Sequence, residues 1–295
     1  MFDFDFHSPI ESLNYKRFTA KRCIVHVKRD DLIHPFISGN KWRKLKYTLE
    51  NAAQLGKTHL ITFGGAWSNH LLASAAAGAK FGFRTTGYVR GESVNNPNLQ
   101  LCQLFGMQLV FVDRTTYKDK VALYQTYHAN DTLSYFIDEG GKAETALLGC
   151  AEIIASLSAD YDHLICACGT GTTIAGLARG IKQYQRHITL HGIPVLKGGE
   201  FIQDLVQQWN PIGADVVLHT DYHFGGYAKT KPELLAFIKD FVAETGLLIE
   251  PVYTGKLFYG LTDLIENDYF AQNARILVLH TGGINGILGN LDKFF

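Results

Sequence analysis

A lysine behind a Ser-Gly-Asn turn, in S-G-N-K-W-R-K-L from Ser38 to Leu45, is one group whose setting could make it reactive. A lysine amine attacks only when deprotonated, which takes desolvation or nearby cations, and Arg43 and Lys44 supply cations. The same Lys41, Arg43, Lys44 and Lys46 would equally form one solvated helix face. A second stretch, C-G-T-G-T-T from Cys168 to Thr173, lies between a strand-like HLICAC and a helix-like TTIAGLARG. Gly169 and Gly171 let backbone amides converge, Thr170, Thr172 and Thr173 add hydroxyls, and a helix N-terminus follows, which together make a cradle for a phosphate. No lysine follows as in a nucleoside-triphosphate loop, and Ile174 stands where a dinucleotide fingerprint has its third glycine. A plain capped turn explains the same residues. In G-G-A-W-S-N-H, Gly64 to His70, Ser68 and Asn69 suit either a helix N-cap or a second anion pocket, for a substrate carboxylate, with Asn69 and His70 as contacts. E-P-V-Y-T-G-K (Glu250 to Lys256) and H-T-G-G-I-N-G (His280 to Gly286) each set a hydroxyl beside glycine at an element boundary. Tyr253 as a core aromatic and Thr281 as a cap are the plainer readings.

Such groups need elements to position them. Strand patterns at CIVHVKR, HLITF, FRTTGYVRG, QLVFVD, LSYFID, HLICACG and RILVLHTGG alternate with helix patterns. The helices are KWRKLKYTLENAAQL, SNHLLASAAAGAKFG, TTYKDKVALYQTYHA, ETALLGCAEIIASL, TTIAGLARGIKQY and PELLAFIKDFVAETG, with a short one closing the chain. This alternation predicts an α/β fold of mostly parallel sheets flanked by helices. Ligands in such folds gather at the carboxyl ends of strands. Four of these strands end in glycine, at Gly64-Gly65, Gly91, Gly169 and Gly282-Gly283.

Composition narrows the function classes. The 295 residues suggest about two domains or one large one, and 46% hydrophobic against 19% charged residues is ordinary for a folded enzyme. With 28 Lys plus Arg against 28 Asp plus Glu the chain is neutral, so neither nucleic acid nor an anionic membrane is an expected partner. No run reaches the roughly 18 apolar residues of a membrane span; LLASAAAGA from Leu71 stops at Lys80. The start, with Asp3 and Asp5, lacks the pattern of a secretory leader. Five scattered cysteines do not make a disulfide framework, so a cytoplasmic location with reduced thiols is expected. Cys166 and Cys168 have no second pair at zinc spacing and read as core thiols; no metal is expected. Glycine, at 29 against 7 prolines, is in surplus, as Gly-built turns around a small ligand require.

Taken in order, K-R-D-D, S-G-N-K-x-R-K-L, G-G-x-x-S-N-H, G-T-G-T-T, E-P-V-Y-T-G-K and H-T-G-G resemble the 1-aminocyclopropane-1-carboxylate deaminase / D-cysteine desulfhydrase family. These are pyridoxal-phosphate enzymes of the tryptophan-synthase-β fold type (fold type II), and the resemblance runs from about Lys28 to Gly283. It implies that Lys41 holds the cofactor as a Schiff base and shuttles a proton. It implies that Asn69 bonds the ring hydroxyl, and that Gly169, Thr170, Gly171, Thr172 and Thr173 grip the phosphate. Ser68, with the amides of Asn69 and His70, would take the substrate carboxylate, with Trp67 and Thr281 beside it. Tyr253 would lie against the active site and Thr254 would face the pyridine nitrogen. A homodimer is implied too, and a two-domain chain in which residues 45–148 form a smaller domain closing over the cofactor, inserted between 1–44 and 149–295.

Two positions weigh the activities. The ring-opening deaminases carry Glu where this chain has Thr254 and Leu where it has Thr281; the D-cysteine desulfhydrase type carries Thr at both. β-Elimination from a small amino acid, of the D-cysteine desulfhydrase kind, is therefore expected, ahead of 1-aminocyclopropane-1-carboxylate deamination. A pyridoxal-phosphate binder without turnover is the rival from another class. One residue departs from the pattern: Trp67 replaces the family's usual Gln before Ser-Asn, leaving the substrate and its stereochemistry open.

Overall fold

The computed structural model describes residues 2, 4, 6–210 and 215–295; Asp3 and Asp5 fall outside them. Along these the elements run β1 (Ile10–Ser12), α1 (Lys16–Ala20), β2 (Ile24–Lys28), α2 (Asn40–Gln54), β3 (His59–Gly64), α3 (Asn69–Phe81) and β4 (Arg84–Arg90). Then come α4 (Pro97–Leu104), β5 (Gln108–Val112), α5 (Lys120–His128), β6 (Ser134–Ile137), α6 (Thr145–Ala155), β7 (His163–Cys168), α7 (Thr172–Gln183) and β8 (Thr189–Pro194). The chain finishes with α8 (Phe201–Trp209), β9 (Val216–Leu218), α9 (Pro232–Thr245), α10 (Thr254–Glu266) and β10 (Arg275–Leu279).

The strands form two sheets. One has six strands in the order β1-β2-β10-β7-β8-β9, the other four in the order β5-β4-β3-β6. Every pairing is parallel except β1 on β2, which closes one edge of the larger sheet. Parallel strands need helical crossovers and are therefore covered on both faces, which is why β3 and β7 read as near-continuous apolar runs. Both are buried almost end to end. Phe237, Phe241, Leu257 and Phe258 pack one face of the larger sheet, and Leu147, Ile154, Leu177 and Ile181 the other. The α/β architecture with mostly parallel sheets agrees with the sequence expectation.

Several elements differ from it. The helix expected over TTYKDKVALYQTYHA is a 3-10 turn, Thr116–Lys118, followed by α5, because Asp119 caps a fresh start by accepting from Ala122 N at 2.8 Å. The closing helix is two 3-10 turns, Ile284–Ile287 and Leu291–Lys293. The sequence reading passed over β1, α1, α4, β8, α8, β9 and α10. All five cysteines are buried and unpaired. No helix among the described residues is long and apolar enough to cross a membrane.

Candidate active site

A cavity of about 910 Å³ opens where the carboxyl ends of the two sheets face each other. Gly65 after β3, Asp138 after β6, Gly169 after β7 and Leu196 after β8 all line it. Of the four glycine-ended strands singled out in the sequence, β3 and β7 thus bring their glycine turns to the cavity. Gly91 and Gly282-Gly283 do not line it, although Gly286 and Gly289 from the following turns do.

Lys41 stands in the first turn of α2 and lines the cavity. The turn before it depends on Gly39, which has φ +60° and ψ −137°, a region closed to residues with a Cβ. Its Cα lies so close to the end of β10 that a Cβ would overlap the Thr281 carbonyl. Asn40 then ties the turn to two other elements. Its N–H donates to Thr281 O at 3.2 Å, and its side-chain amide donates to Thr173 Oγ1, at the start of α7, at 3.0 Å. Burial, and next the charge of Lys44, push the Lys41 amine well below the ordinary lysine range. Lys44, one helical turn on, is buried and donates to Gly140 O at 3.0 Å; burial lowers its pKa as well.

The Gly64-to-His70 turn leads into α3. Ser68 is the N-cap, its Oγ accepting from Leu71 N at 3.2 Å, so the capping reading of this serine holds; the residue also lines the cavity. Asn69 and His70 line it too. His70 has a definite tautomer. The Thr62 hydroxyl has one hydrogen, donated to Ile137 O at 3.0 Å, so its contact with His70 Nε2 at 2.7 Å is accepted from the ring. His70 Nδ1 is left a bare, buried acceptor without a partner. Burial, with Lys41 and Lys44 nearby, pushes the His70 pKa far down, keeping the ring neutral. Trp67 lines the cavity mouth and is 40% exposed. Its indole rests on Gly289, where a Cβ would come within 2.7 Å of the ring.

On the opposite wall, Gly169 and Thr170 line the cavity, while Gly171, Thr172 and Thr173 lie behind it at the start of α7. Gly171 is the N-cap, left-handed at φ +82°, and no side chain caps the helix. Thr170 and Thr172 share a hydroxyl contact at 3.2 Å. Tyr253 lines the cavity and packs under Gly169, where a Cβ would meet its ring at 3.2 Å. Its hydroxyl donates to Tyr227 at 3.2 Å, and burial raises the pKa of both phenols, keeping them protonated.

Thr254 and Thr281 are buried and do not line the cavity. Thr254 Oγ1 accepts from Glu250 N at 2.9 Å and approaches Glu250 Oε1 at 3.3 Å. Glu250, fully buried at the cavity wall, caps α10: its carboxylate accepts from Val252 N and Tyr253 N at 2.7 Å and from Thr254 N at 2.8 Å. Burial raises its pKa against the pull of these amides. The sequence reading quoted Glu250 in a motif without giving it a part; its signal was an acid just ahead of a helix start. Lys44, one turn from Lys41, is the nearby cation the sequence named; Arg43 instead pairs with Asp30. Tyr227 carried no local signal. Its loop is fixed by Lys256, buried in α10, whose ammonium donates to Val195 O at 3.0 Å and to His223 O and Gly226 O at 2.8 Å.

These residues fit a phosphorylated aldehyde such as pyridoxal phosphate. A neutral amine at Lys41 can add to the aldehyde, the start of α7 offers amides that no side chain caps, and the volume suits a cofactor with a small substrate.

Residues 5–282 match the family described as "Pyridoxal-phosphate dependent enzyme". A Thermotoga maritima protein named "Putative 1-aminocyclopropane-1-carboxylate deaminase" is 31% identical, over 95% of this chain and 95% of its own length. A protein named "D-cysteine desulfhydrase" from Yersinia enterocolitica is also 31% identical, over 88% of this chain and 86% of its own. Among solved structures, one described as an "ACC deaminase homologue" superposes with a TM-score of 0.86 at 28% identity, covering 98% of this chain and 93% of that one.

Proposed function

The chain belongs to the pyridoxal-phosphate-dependent enzyme family, and from that premise we propose that it eliminates the β-substituent of a small amino acid, converting D-cysteine and water to pyruvate, ammonia and hydrogen sulfide. One observation carries the reading: the desolvated Lys41 amine shares a cavity with the Ser68-Asn69-His70 turn, so a base and a carboxylate site face one substrate. A protein that only stored the cofactor would need no carboxylate site.

When bound, pyridoxal phosphate supplies the electron sink for the pair left at the substrate Cα. Lys41 holds the cofactor and, as a free amine, takes the Cα proton; burial favours its neutral, proton-accepting form. Gly169, Thr170, Gly171, Thr172 and Thr173 hold the phosphate through amides at the start of α7 and threonine hydroxyls. Asn69 bonds the ring hydroxyl. The Ser68 hydroxyl, its lone pair used in the cap but its hydrogen free, donates to the substrate carboxylate with the amides of Asn69 and His70. Tyr253, a protonated phenol that lines the cavity and donates to Tyr227, lies against the reacting groups. Trp67 bounds the pocket on the substrate side, while Thr281, buried outside the lining, supports the Lys41 turn by accepting from Asn40 N–H through its carbonyl. Thr254 is the neutral residue assigned to the ring nitrogen, and its hydroxyl, now shared with Glu250, would turn towards it. With Thr in place of Glu at 254 and Thr in place of Leu at 281, elimination of a good leaving group is favoured over opening of a cyclopropane ring.

Residues 45–148 carry the whole four-stranded sheet, which supports reading them as the smaller domain that closes over the cofactor, with 1–44 and 149–295 as the larger. Five buried, unpaired thiols suit a cytoplasmic setting, and a homodimer follows from the sequence resemblance alone.

A panel of D- and L-amino acids assayed together for keto acid, ammonia and sulfide tests the reading. Equal yields of all three from D-cysteine are expected, with none from a Lys41→Ala chain. Rapid keto-acid release from 1-aminocyclopropane-1-carboxylate would replace it with the deaminase reading. A yellow protein that turns over nothing would leave a cofactor binder.

A further inference from the structure

A second cluster of ligand-type side chains sits far from this cavity. His59 opens β3 while Gly64 ends it at the cavity side, so the two are separated by about 17 Å of extended chain. At that far end His59 meets His128, the last residue of α5, and Asp131 in the loop leading to β6. One nitrogen from each imidazole and a carboxylate oxygen all lie within 4.8 Å of one another. His59 Nδ1 and Asp131 Oδ2 are already 2.9 Å apart, and the two rings stand edge to face with centroids 5.6 Å apart.

We propose that His59, His128 and Asp131 bind a divalent transition metal of the zinc class, with water in the fourth position. Two imidazoles and one carboxylate with an open site is an established zinc donor set. A tetrahedral ion needs ligand atoms about 3.3 Å apart, so donor atoms already within 4.8 Å of one another need only a small inward adjustment, with His128 at a helix end. What surrounds the three residues is what a metal site needs, because each ligand is oriented by a partner on its other side. His59 Nε2 contacts Thr86 Oγ1 at 2.8 Å, which leaves Nδ1 for the ion. Asp131 Oδ1 accepts from Leu133 N at 3.0 Å, which leaves Oδ2. The Tyr88 hydroxyl holds His128 through Nε2 at 2.9 Å. Bound metal would clip the loop after α5 onto the first residue of β3, bracing the amino-terminal end of the smaller sheet without entering the reaction. A simple His-Asp ion pair is the competing explanation. Local sequence hides the cluster, since only H-x-x-D is contiguous and His59 comes from another element.

The test uses the cofactor-loaded full-length chain, stripped with a chelator and titrated with zinc chloride by calorimetry, and separately with cobalt(II) by visible absorbance. One ion per chain is expected, with a rise in the thermal midpoint and unchanged cofactor absorbance. His128→Ala and Asp131→Asn, both at partly exposed positions, should each weaken binding at least tenfold. His59→Gln is left aside because it empties a buried site. Absence of saturable binding overturns the proposal. So does zinc binding of equal strength in the His128→Ala/Asp131→Asn double variant, or a cobalt spectrum carrying thiolate charge-transfer bands, either of which would place the ion elsewhere.

Discussion

Gly39→Ala tests the link between the Lys41 turn and the end of β10. The backbone at Gly39, φ +60° and ψ −137°, costs a residue with a Cβ about 1–3 kcal/mol. The added carbon would overlap the Thr281 carbonyl and stand 2.9 Å from Gly282 N, both backbone, so the two loops must part by about 1 Å. Parting them breaks the Asn40 N–H to Thr281 O bond, worth about another 1 kcal/mol. The expected total is about 2–4 kcal/mol, a fall in thermal midpoint of about 3–6 °C for a chain of this size. A displacement of about 1 Å at a catalytic group costs roughly a hundredfold in rate, so keto-acid formation should drop by that order even in fully loaded enzyme. Gly82→Ala is the control. It too has positive φ, at +79°, as the C-cap of α3, but a Cβ there meets nothing within 4 Å. It should lose about 1 kcal/mol and no activity. If Gly39→Ala behaves like Gly82→Ala, keeping its rate to within a few-fold, the reasoning fails.

Lys44→Met removes a like charge beside Lys41, so the Lys41 pKa rises and the pH below which the cofactor-free chain stops taking up pyridoxal phosphate moves upward; a midpoint that stays or falls would contradict the charge argument. Glu250→Ala strips three amides and the Thr254 hydroxyl of their acceptor at the start of α10, for an expected loss of about 2–4 kcal/mol in urea unfolding, while an isosteric Gln should retain about half. Lys256→Met leaves three carbonyls without their donor and should cost a similar amount. Burial pulls the Lys256 pKa down to about 8. The folded chain thus sheds a proton that the unfolded chain keeps until about 10.5, and the stability difference between wild type and Lys256→Met should widen between pH 8 and 10, read by denaturant midpoint.

The parts of the fold legible in the sequence were those where burial pattern and turn chemistry agree locally. H-L-I-C-A-C followed by G-T-G-T-T declares a buried strand, a glycine turn and a helix start within one stretch, and β7 and α7 are there. The helix α10 was missed because its signal is a tertiary-like cap, Glu250 reaching the amides of Val252, Tyr253 and Thr254 across a proline. The strand β8 was missed because His191 and Gly192 interrupt its apolar run. His191 is buried there with both nitrogens in contact, one with His163 on β7 at 3.0 Å and the other with His219, just past β9, at 3.1 Å. In the cavity, residue types were readable but partners were not. Trp67 stood out as a departure, yet its seat on Gly289 comes from the far end of the chain. That Thr254 shares its hydroxyl with Glu250 could be known only once α10 was in place.

The turn at Asn40 touches Thr281 and Thr173, while Lys44 on the same helix reaches Gly140 beyond β6. The lysine assigned to the cofactor therefore sits on the member that spans the seam between the two sheets. Its chromophore becomes a built-in strain gauge: a ligand or heat that shifts the smaller sheet should tilt the helix and change the visible band. Spectral drift ahead of global melting would then time the loosening of the smaller sheet without any attached probe.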